Sequence, residues 1–352
     1  MGGSGVLNGP TTEPTVSVVI PTRNRRELLA RTLGTVLNQR DVDLEVVIVD
    51  DGSTDRTAAY LEGLSDERVR VLRHAVSRGV CQSRNVGLAA ARGAWVAFTD
   101  DDDLWGPTRL AELLAATQAN PDAGWACSGV ISVNQRLEPV LGSHPPIPED
   151  VVRRLLSFNC VPGGGSGVLA RTDLVRSVGG FDVQLRNLAD WDLWIRLALA
   201  APLVTVPDPL LAYVRHDGNM STDLRGIDEE WDRVTQKYEG ARRRLGVEVD
   251  ATRFLRWTAG GSLMSGDRRS TARKHLRIAR REGDLKALAR AAVVLAWPSL
   301  MVRRRARARE ESLPPGWLAD ATTWLIPLRA ASKLDPTQPS PSVLLKARRE
   351  AD

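Results

Sequence analysis

Residues 44–53 read LEVVIVDDGS, a run of aliphatic side chains that stops at two aspartates, a glycine and a serine. An aliphatic run without polar alternation is typical of a strand that is buried on both faces of a sheet. Glycine, serine and aspartate favour turns and helix caps, so the strand must end where they begin. The stretch therefore predicts a central strand of a parallel sheet with carboxylates at its carboxyl end.

The neighbouring segments repeat this pattern. Further apolar runs read VSVVIP, VRVLRH and AWVAF, and helical spacing is found between them in RRELLARTLGTVLNQ (25–39), TDRTAAYLEGL and SRGVCQSRNVGLAAARG. Strands that alternate with helices form a sheet covered on both faces, and ligands bind beyond the carboxyl ends of its strands. We therefore expect an α/β fold with a mostly parallel, Rossmann-like sheet flanked by helices. The proline-rich residues 135–150 are expected to be irregular.

Composition excludes several classes of protein. The chain has 352 residues, 43% of them hydrophobic, and its three widely spaced cysteines predict neither a disulfide framework nor a zinc site. The N-terminal stretch lacks the basic and apolar regions of a signal peptide. Uncharged apolar stretches all fall short of the roughly 18 residues that a membrane span needs. The expectation is a cytoplasmic protein.

The net charge of +5 conceals two regions of opposite sign. The segment from Arg268 to Arg309 contains 14 Lys or Arg against 2 Asp or Glu, so the remainder is mildly acidic. Helical apolar spacing with such a cationic excess predicts a helix on an anionic membrane surface, at the inner face of the cell membrane. The alternative is a helical cap that packs on the core. Nucleic acid is not an expected partner, because the body is acidic and carries no nucleic-acid motif.

Four consecutive carboxylates, Asp100 to Asp103, follow the apolar run that ends at Phe98. Four like charges repel one another, so the cluster needs either full solvation in a loop or a cation. The glycine-rich motifs that bind dinucleotides or triphosphates are absent from the sequence. Carboxylates can instead hold a diphosphate through a shared Mg²⁺ or Mn²⁺. We expect a divalent cation here, with Asp103 at the start of the turn into Leu104.

Six ordered motifs within about residues 15–222 resemble the family 2 glycosyltransferases, which are inverting sugar-nucleotide transferases with the GT-A fold. These motifs are VSVVIPTRNR, VVIVDDGSTD, SRNVGLAAARGAWVAFTDDDD, GVLAR with VGGFD, ADWDLWIRL and YVRHDGNMS. The resemblance implies metal-dependent transfer, with Mn²⁺ or Mg²⁺, of a sugar from a nucleotide-diphosphate sugar to an acceptor hydroxyl. The acceptor would be a glycan, a lipid-linked molecule or a small molecule, in cell-envelope polysaccharide, glycolipid or secondary-metabolite glycosylation.

A division of the chain follows from the same resemblance. We expect a disordered leader at 1–14 and a GT-A domain at 15–225, with a nucleotide-binding half at 15–110 and an acceptor half at 111–225. A helical basic region is expected at 226–312, and a largely disordered tail at 313–352.

The resemblance also assigns roles on the donor side. The nucleobase and ribose are expected against Pro21, Thr22, Asn24 and Asp51, and Arg84 near the base or the diphosphate. A carboxylate suits a base imide N–H, and an arginine suits stacking or forked donation. For Asp51 the residues alone also allow ordinary turn chemistry.

The acidic cluster matches the D-x-D element of the family, with Asp100 and Asp102 in the motif positions and Asp101 between them. We expect Asp102 to ligate the metal together with His216, and Asp100 and Asp101 to bind the sugar nucleotide. A neutral imidazole can ligate Mn²⁺, although a lone histidine is more often a surface or helix-end residue.

Asp190 is the predicted general base, because the family places an acidic pair at the start of this helix. Here the pair reads Ala189-Asp190, so its first acid is missing. Asp192 is the alternative base, and helix capping is the alternative role for Asp190. The missing acid also favours a second hypothesis, a catalytically silent GT-A-like binding module at the membrane surface. Trp191 and Trp194, at helical spacing on the same helix, are expected in the core more than against a sugar.

Overall fold

The computed structural model describes residues 13–216, 218–301 and 316–334. Its strands are β1 Val16–Thr22, β2 Leu44–Asp50, β3 Val69–Arg73, β4 Trp95–Phe98, β5 Leu104–Trp105, β6 Trp125–Val133, β7 Pro139–Ser143, β8 Val168–Arg171 and β9 Leu203–Val214. Helices α1 to α7 are Arg26–Leu37, Thr57–Glu62, Val80–Ala90, Arg109–Ala119, Val151–Ser157, Thr172–Ser177 and Ala189–Ala200. Helices α8 to α13 are Leu224–Lys237, Glu239–Leu245, Ala251–Met264, Arg268–Glu282, Leu285–Ala296 and Trp317–Leu334.

The first half of the sheet is parallel, in the order β3, β2, β1, β4. Successive side chains of a strand point to opposite faces. On β2, Val46 and Ile48 join one hydrophobic core, and Val47 and Val49 join the core on the other face. Every residue of β1 and β2 is buried, which explains why their sequences show no polar alternation. The prediction of a Rossmann-like α/β fold is confirmed.

The second half of the sheet is mixed. Strand β8 runs antiparallel to β4 and β6, and β9 runs parallel to β6 but antiparallel to β5. Part of the segment predicted as irregular forms β7, which pairs with β6. Leu137 adopts a left-handed backbone conformation (φ 58°) in the tight turn between β6 and β7. This local turn, which proline content does not reveal, brings β7 back along β6.

After β9 the chain is helical, as predicted, and four of its helices begin at an aspartate cap. Asp223, Asp250, Asp267 and Asp284 each accept a hydrogen bond from a backbone N–H of the first turn of α8, α10, α11 and α12, respectively. Such caps satisfy N–H groups that have no partner inside the helix. Within the described ranges, no helix is both long and apolar enough to cross a bilayer.

The predicted disordered tail at 313–352 is wrong for residues 317–334, which form α13. Trp317, Ala321 and Leu325 recur at every fourth position and are buried. Ala321 and Leu325 pack in one cluster with Ala212 of β9, so tertiary contact stabilises a helix whose sequence contains Pro327. Nearly all of the predicted leader, the basic residues after 302 and the rest of the tail lie outside the described residues.

Candidate functional site

A cavity of about 1170 Å³ opens at the carboxyl ends of β1, β2 and β4. Parallel strands end at one edge of a sheet, so the polar residues that follow them converge there. The predicted site residues that line this cavity are Pro21, Thr22, Asp51, Arg84, Asp100, Asp101, Asp102 and Asp190. The other two predicted residues, Asn24 and His216, lie outside this lining.

The acidic cluster after β4 separates into two environments. One carboxylate oxygen from each of Asp100, Asp102 and Asp103 lies within 4.8 Å of the others. Asp101 instead accepts a hydrogen bond from the Thr22 hydroxyl at 2.7 Å. Burial, together with the charge of Asp102, raises the pKa of Asp101 to about 7. The three grouped carboxylates supply hard oxygen ligands, which fit Mg²⁺ or Mn²⁺.

Asp103 differs from the expectation that it begins a turn. Its backbone N–H donates to the Asp100 carbonyl at 3.4 Å, so it closes a turn that starts at Asp100. The side chain is fully buried and accepts hydrogen bonds from the Ser166 hydroxyl at 2.5 Å and the Val214 N–H at 3.2 Å. Burial raises the pKa of Asp103 well above its ordinary value. The carboxylate thus ties the acidic cluster to two distant segments of the chain.

His216 lies beside the acidic cluster, although it is outside the cavity lining. Its Nε2 is 2.9 Å from an oxygen of Asp102, and its Nδ1 accepts the backbone N–H of Gly218 at 3.1 Å. That second contact fixes the ring orientation and presents Nε2 to the carboxylate. The two residues predicted to ligate the metal are therefore direct neighbours.

Arg25 is a member of the site that the sequence analysis did not identify. Its Nη1 donates to Asp101 at 3.0 Å and to Asp102 at 2.8 Å, and its Nη2 donates to the Gly218 carbonyl at 2.5 Å. The guanidinium therefore neutralises part of the acidic cluster. The sequence did contain an indication of this contact. The PTRNR turn places basic residues at the end of β1, and β1 is the neighbour of β4, where the acidic cluster follows.

Arg84 pairs with Asp100 beneath a glycine-rich loop, residues 163–167, which reads GGGSG. The two side chains form a short ion pair, and the Arg84 guanidinium lies 4.9 Å from the ring centroid of Phe181. A Cβ added to Gly165 would collide with the Arg84 guanidinium, so the loop can pass over this pair only because it carries no side chain there. Arg84 is almost fully buried, and both members of the pair line the cavity.

Asp51 is held in place by four protein donors. It accepts hydrogen bonds from the backbone N–H groups of Arg78 and Gly79 and from the Ser77 hydroxyl, and His74 Nδ1 lies 2.8 Å from it. Burial alone would raise the pKa of Asp51, but these bonds outweigh burial and hold the pKa far below its usual value. A carboxylate offers about four lone-pair sites. Direct pairing with a nucleobase therefore requires one of these donors to move.

Asn24 connects two loops at the edge of the site. It has a left-handed backbone (φ 54°), and its side-chain oxygen accepts the N–H groups of Thr54 and Asp55. Its own N–H donates to the Ser53 hydroxyl at 2.9 Å. These contacts fix the loop after β1 against the loop after β2, so the residue shapes the site from outside the cavity.

Asp190 lies at the N-terminus of α7 with its carboxylate toward the cavity. One oxygen accepts the Trp191 N–H at 2.7 Å, and the other lies 3.5 Å from Asn159 Nδ2. Burial raises the pKa of Asp190 to about 6, although Arg84 favours the charged form. A carboxylate with a pKa of about 6 is ionised at neutral pH and basic enough to accept a proton.

Asp192, the alternative base, occupies a different environment. It is completely buried, 2.6 Å from Arg196 Nη2 and 2.7 Å from Lys237 Nζ, and it accepts the Tyr238 hydroxyl at 2.8 Å. The carboxylate oxygens of Asp192 point into the interface between α7 and α8, and the residue does not line the cavity. The geometry therefore favours Asp190 of the two.

An aromatic wall continues the cavity beyond Asp190. Trp191 stacks on Trp231 of α8 with ring centroids 5.1 Å apart, and Trp231 stacks on Phe254 of α10 at 3.9 Å. All three residues and the partly exposed Trp257 line the cavity. The expectation that Trp191 and Trp194 lie in the core is confirmed, because each is 1% exposed. Helices after residue 224 thus build one end of the cavity.

The chain is similar in sequence to known glycosyltransferases. The family model described as glycosyl transferase family 2 matches residues 17–178. An uncharacterized glycosyltransferase of Haemophilus influenzae is 28% identical over 237 residues, covering 63% of this chain and 76% of that protein. The putative colanic acid biosynthesis glycosyl transferase WcaA of Escherichia coli is 36% identical over 107 residues, covering 30% of this chain and 38% of WcaA.

A solved structure resembles the whole arrangement. The mannosyltransferase PcManGT of Pyrobaculum calidifontis, determined with GDP-Man and Mn²⁺, has a TM-score of 0.51 and 21% identity. The match covers 94% of this chain and 89% of that protein. At this level of identity the likeness concerns the fold, which is the GT-A fold with a helical C-terminal region.

Proposed function

Since this chain belongs to glycosyl transferase family 2 and is a glycosyltransferase, we propose that it performs an inverting, metal-dependent transfer from a nucleotide-diphosphate sugar to an acceptor hydroxyl. The observation that carries the proposal is the convergence, in one cavity, of an acidic cluster, a buried arginine and a half-buried carboxylate with a pKa of about 6. Its relatives include a putative colanic acid transferase, so we propose a role in cell-envelope polysaccharide or glycolipid synthesis, at a cytoplasmic location.

The donor is proposed to bind across the ends of β1, β2 and β4. Pro21, Thr22 and Asp51 line the part of the cavity that would receive the nucleoside. Arg84 lies next to Asp100 and can share its positive charge with a diphosphate oxygen, because a guanidinium has five donors. The identity of the base is open, since uracil, thymine and guanine all offer an imide N–H.

A divalent cation is proposed at the grouped carboxylates. Asp102 would hold it, with the grouped oxygens of Asp100 and Asp103 as further candidates. His216 could join through Nε2 once the ring proton moves to Nδ1 and the bond from the Gly218 N–H is given up. Such a cation, when bound, stabilises the negative charge that builds on the departing diphosphate. Arg25 donates to Oδ2 of Asp102, so this guanidinium competes with the ion for that oxygen.

Asp190 is proposed to accept the proton of the acceptor hydroxyl. The hydroxyl oxygen forms a bond to the anomeric carbon on the face opposite the diphosphate, and the bond from that carbon to the diphosphate oxygen breaks. The proton passes to the Asp190 carboxylate and the electron pair leaves with the diphosphate. Attack from the opposite face inverts the anomeric configuration. A base of this kind typically contributes about 10²- to 10⁴-fold to the rate.

The acceptor is proposed to lie along the aromatic wall. Trp231, Phe254 and Trp257 come from helices that follow residues 17–178, the region matched by the family model. Trp231 is stacked between Trp191 and Phe254, whereas Trp257 is 39% exposed and can offer a flat face to the apolar face of a sugar ring. The aromatic wall is therefore the proposed source of acceptor selectivity.

A panel of sugar nucleotides, incubated with the protein and Mn²⁺, tests the proposal through release of nucleoside diphosphate. Release from one or a few donors, lost on chelation and in Asp102→Asn, is the expected result. A silent binding module would instead give a thermal shift with a nucleotide but no release with any donor. Failure of every donor, with and without a polysaccharide or glycolipid acceptor fraction, would overturn the enzymatic proposal.

A further inference from the structure

The exposed face of α12 is apolar. Lys286 aside, the exposed residues of this helix are leucines and alanines at the spacing of one helical face, namely Leu285, Leu288, Ala289, Ala292, Leu295 and Ala296. Leu285 is 78% exposed and Leu295 is 53% exposed. The opposite face, formed by Ala287, Ala291 and Val294, is buried, and α12 packs on α11. A helix on the surface of a globular protein normally presents charged residues to water, so this face is suited to a partner.

The apolar surface continues past the end of the helix. Trp297 follows the last turn and is 67% exposed, and Leu300 is 57% exposed. Tryptophan favours the boundary between a membrane and water, where its ring is apolar and its N–H can reach polar groups. We define the α12 face as the six Leu and Ala residues above together with Trp297 and Leu300.

Positive charge surrounds the α12 face. The preceding helix α11 exposes Arg268, Arg269, Arg273, Arg277, Arg280 and Arg281, and α12 adds Lys286. Only Glu282 and Asp284 oppose them between residues 268 and 296. Each cation near an anionic bilayer contributes favourably to binding. A two-fold dimer through the same face would place this basic surface against its own copy, where like charges repel.

We propose that the α12 face docks on the surface of an anionic lipid bilayer. The leucines and Trp297 enter the boundary between headgroups and acyl chains, and the arginines of α11 contact lipid phosphates. The helix lies in the plane of the membrane, because 12 residues are too few to span it. This assignment narrows the predicted anionic surface of 268–309 to one face, and it does not depend on the proposed transfer reaction.

Vesicle flotation of the full chain tests the assignment. The vesicles contain either phosphatidylcholine alone or equal parts of phosphatidylcholine and phosphatidylglycerol. The unaltered protein is expected to float with the anionic vesicles and to be released by high salt. The double variant Leu288→Gln/Leu295→Gln should lower the partition coefficient at least about tenfold, because two leucines no longer contribute apolar burial. Leu199→Gln is the matched control, since Leu199 of α7 is equally exposed, at 49%, and should leave flotation unchanged.

Thermal melts establish that each variant is folded. Substitutions at these exposed positions should change the melting temperature little. The assignment is overturned if the unaltered protein stays unbound with anionic vesicles, or if the double variant floats as well as the unaltered protein. Sedimentation equilibrium adds a further decisive outcome. A dimer that the double variant abolishes, without any flotation, would assign the face to a second copy of the chain.

Discussion

Replacement of Asp190 by asparagine separates catalysis from structure at one position. The change keeps the shape of the side chain and an oxygen that can accept the Trp191 N–H, so the start of α7 keeps its cap. The other contact, 3.5 Å to Asn159, is long and contributes little. What the substitution removes is the negative charge and the ability to take a proton.

The structure gives opposite signs for the effects on activity and on stability. Because the pKa of Asp190 is raised from 3.8 to about 6, the folded protein disfavours the ionised form by about 3 kcal/mol. That cost is present above about pH 6, where the carboxylate is charged, so Asp190→Asn should be as stable as the unaltered protein or up to about 3 kcal/mol more stable at pH 8. Its transfer rate should fall by about 10²- to 10⁴-fold.

The assay combines transfer rates with thermal melts at the same pH. In the unaltered protein, kcat/KM should fall about tenfold per pH unit below about pH 6, because a base must be deprotonated, and this acidic limb should vanish from the residual rate of Asp190→Asn. Sugar-nucleotide binding, measured by calorimetry, should change little.

The matched control is Asp192→Asn, two residues further along α7 and directed away from the cavity. Loss of this buried charge leaves Arg196 without its carboxylate partner and Lys237 with Asp182 alone, which should lower stability by about 3 kcal/mol. The reasoning about Asp190 would be refuted if Asp190→Asn kept its transfer rate within about fivefold, or if it lost as much stability as the control.

Three further predictions concern the surroundings of the site. Arg25→Gln should bind Mn²⁺ roughly tenfold more tightly than the unaltered protein in the absence of donor, because the guanidinium that competes for Asp101 and Asp102 is removed. The affinity is measured by paramagnetic resonance, and an unchanged affinity would show that Arg25 does not compete. Gly165→Ala should raise KM for the donor by about tenfold or more, because the added methyl group displaces Arg84. Gly240→Ala is the control and should leave KM unchanged, because a Cβ at Gly240 meets its neighbours only at ordinary contact distances. Equal effects of the two variants on KM would contradict the role of the glycine-rich loop. Leu325→Ala should lower the free energy of unfolding by about 2 to 5 kcal/mol in a denaturant titration, because Leu325 is buried in a hydrophobic cluster. Ile326→Ala, at an exposed position, should lower it little. If Leu325→Ala lowered it as little as Ile326→Ala does, α13 would not be part of the cooperative fold.

The local pattern of the chain was sufficient to predict the parallel half of the sheet. A run such as LEVVIVD predicts a central strand, because an aliphatic strand without polar alternation must be covered on both faces. The strand ends also followed from the sequence, since Asp51 comes directly after β2 and Asp100 follows β4 by two residues. Parallel strands end at one edge, so the convergence of these carboxylates was predictable without coordinates.

Long-range pairing was not predictable from these local patterns. The carboxylate of Asp103 accepts hydrogen bonds from Ser166 and Val214, which lie 63 and 111 residues away along the chain. Arg25 likewise reaches Asp102 across 77 residues. A sequence window records which residues are near in the chain. The Asp103 contacts depend on how β8 and β9 assemble in the mixed half of the sheet, and the Arg25 contact depends on the pairing of β1 with β4.

The sequence by itself determined that a buried parallel sheet carries a row of carboxylates at one edge, because strand burial and strand termination are local properties of the chain. Only the tertiary structure decided how those carboxylates divide. Asp100, Asp102 and Asp103 group together, Asp101 turns to Thr22 and Arg25, and Asp192 is enclosed by cations while Asp190 remains open to the cavity. The physical reason is that the charge, the pKa and the accessibility of a side chain depend on neighbours that the fold brings from distant segments.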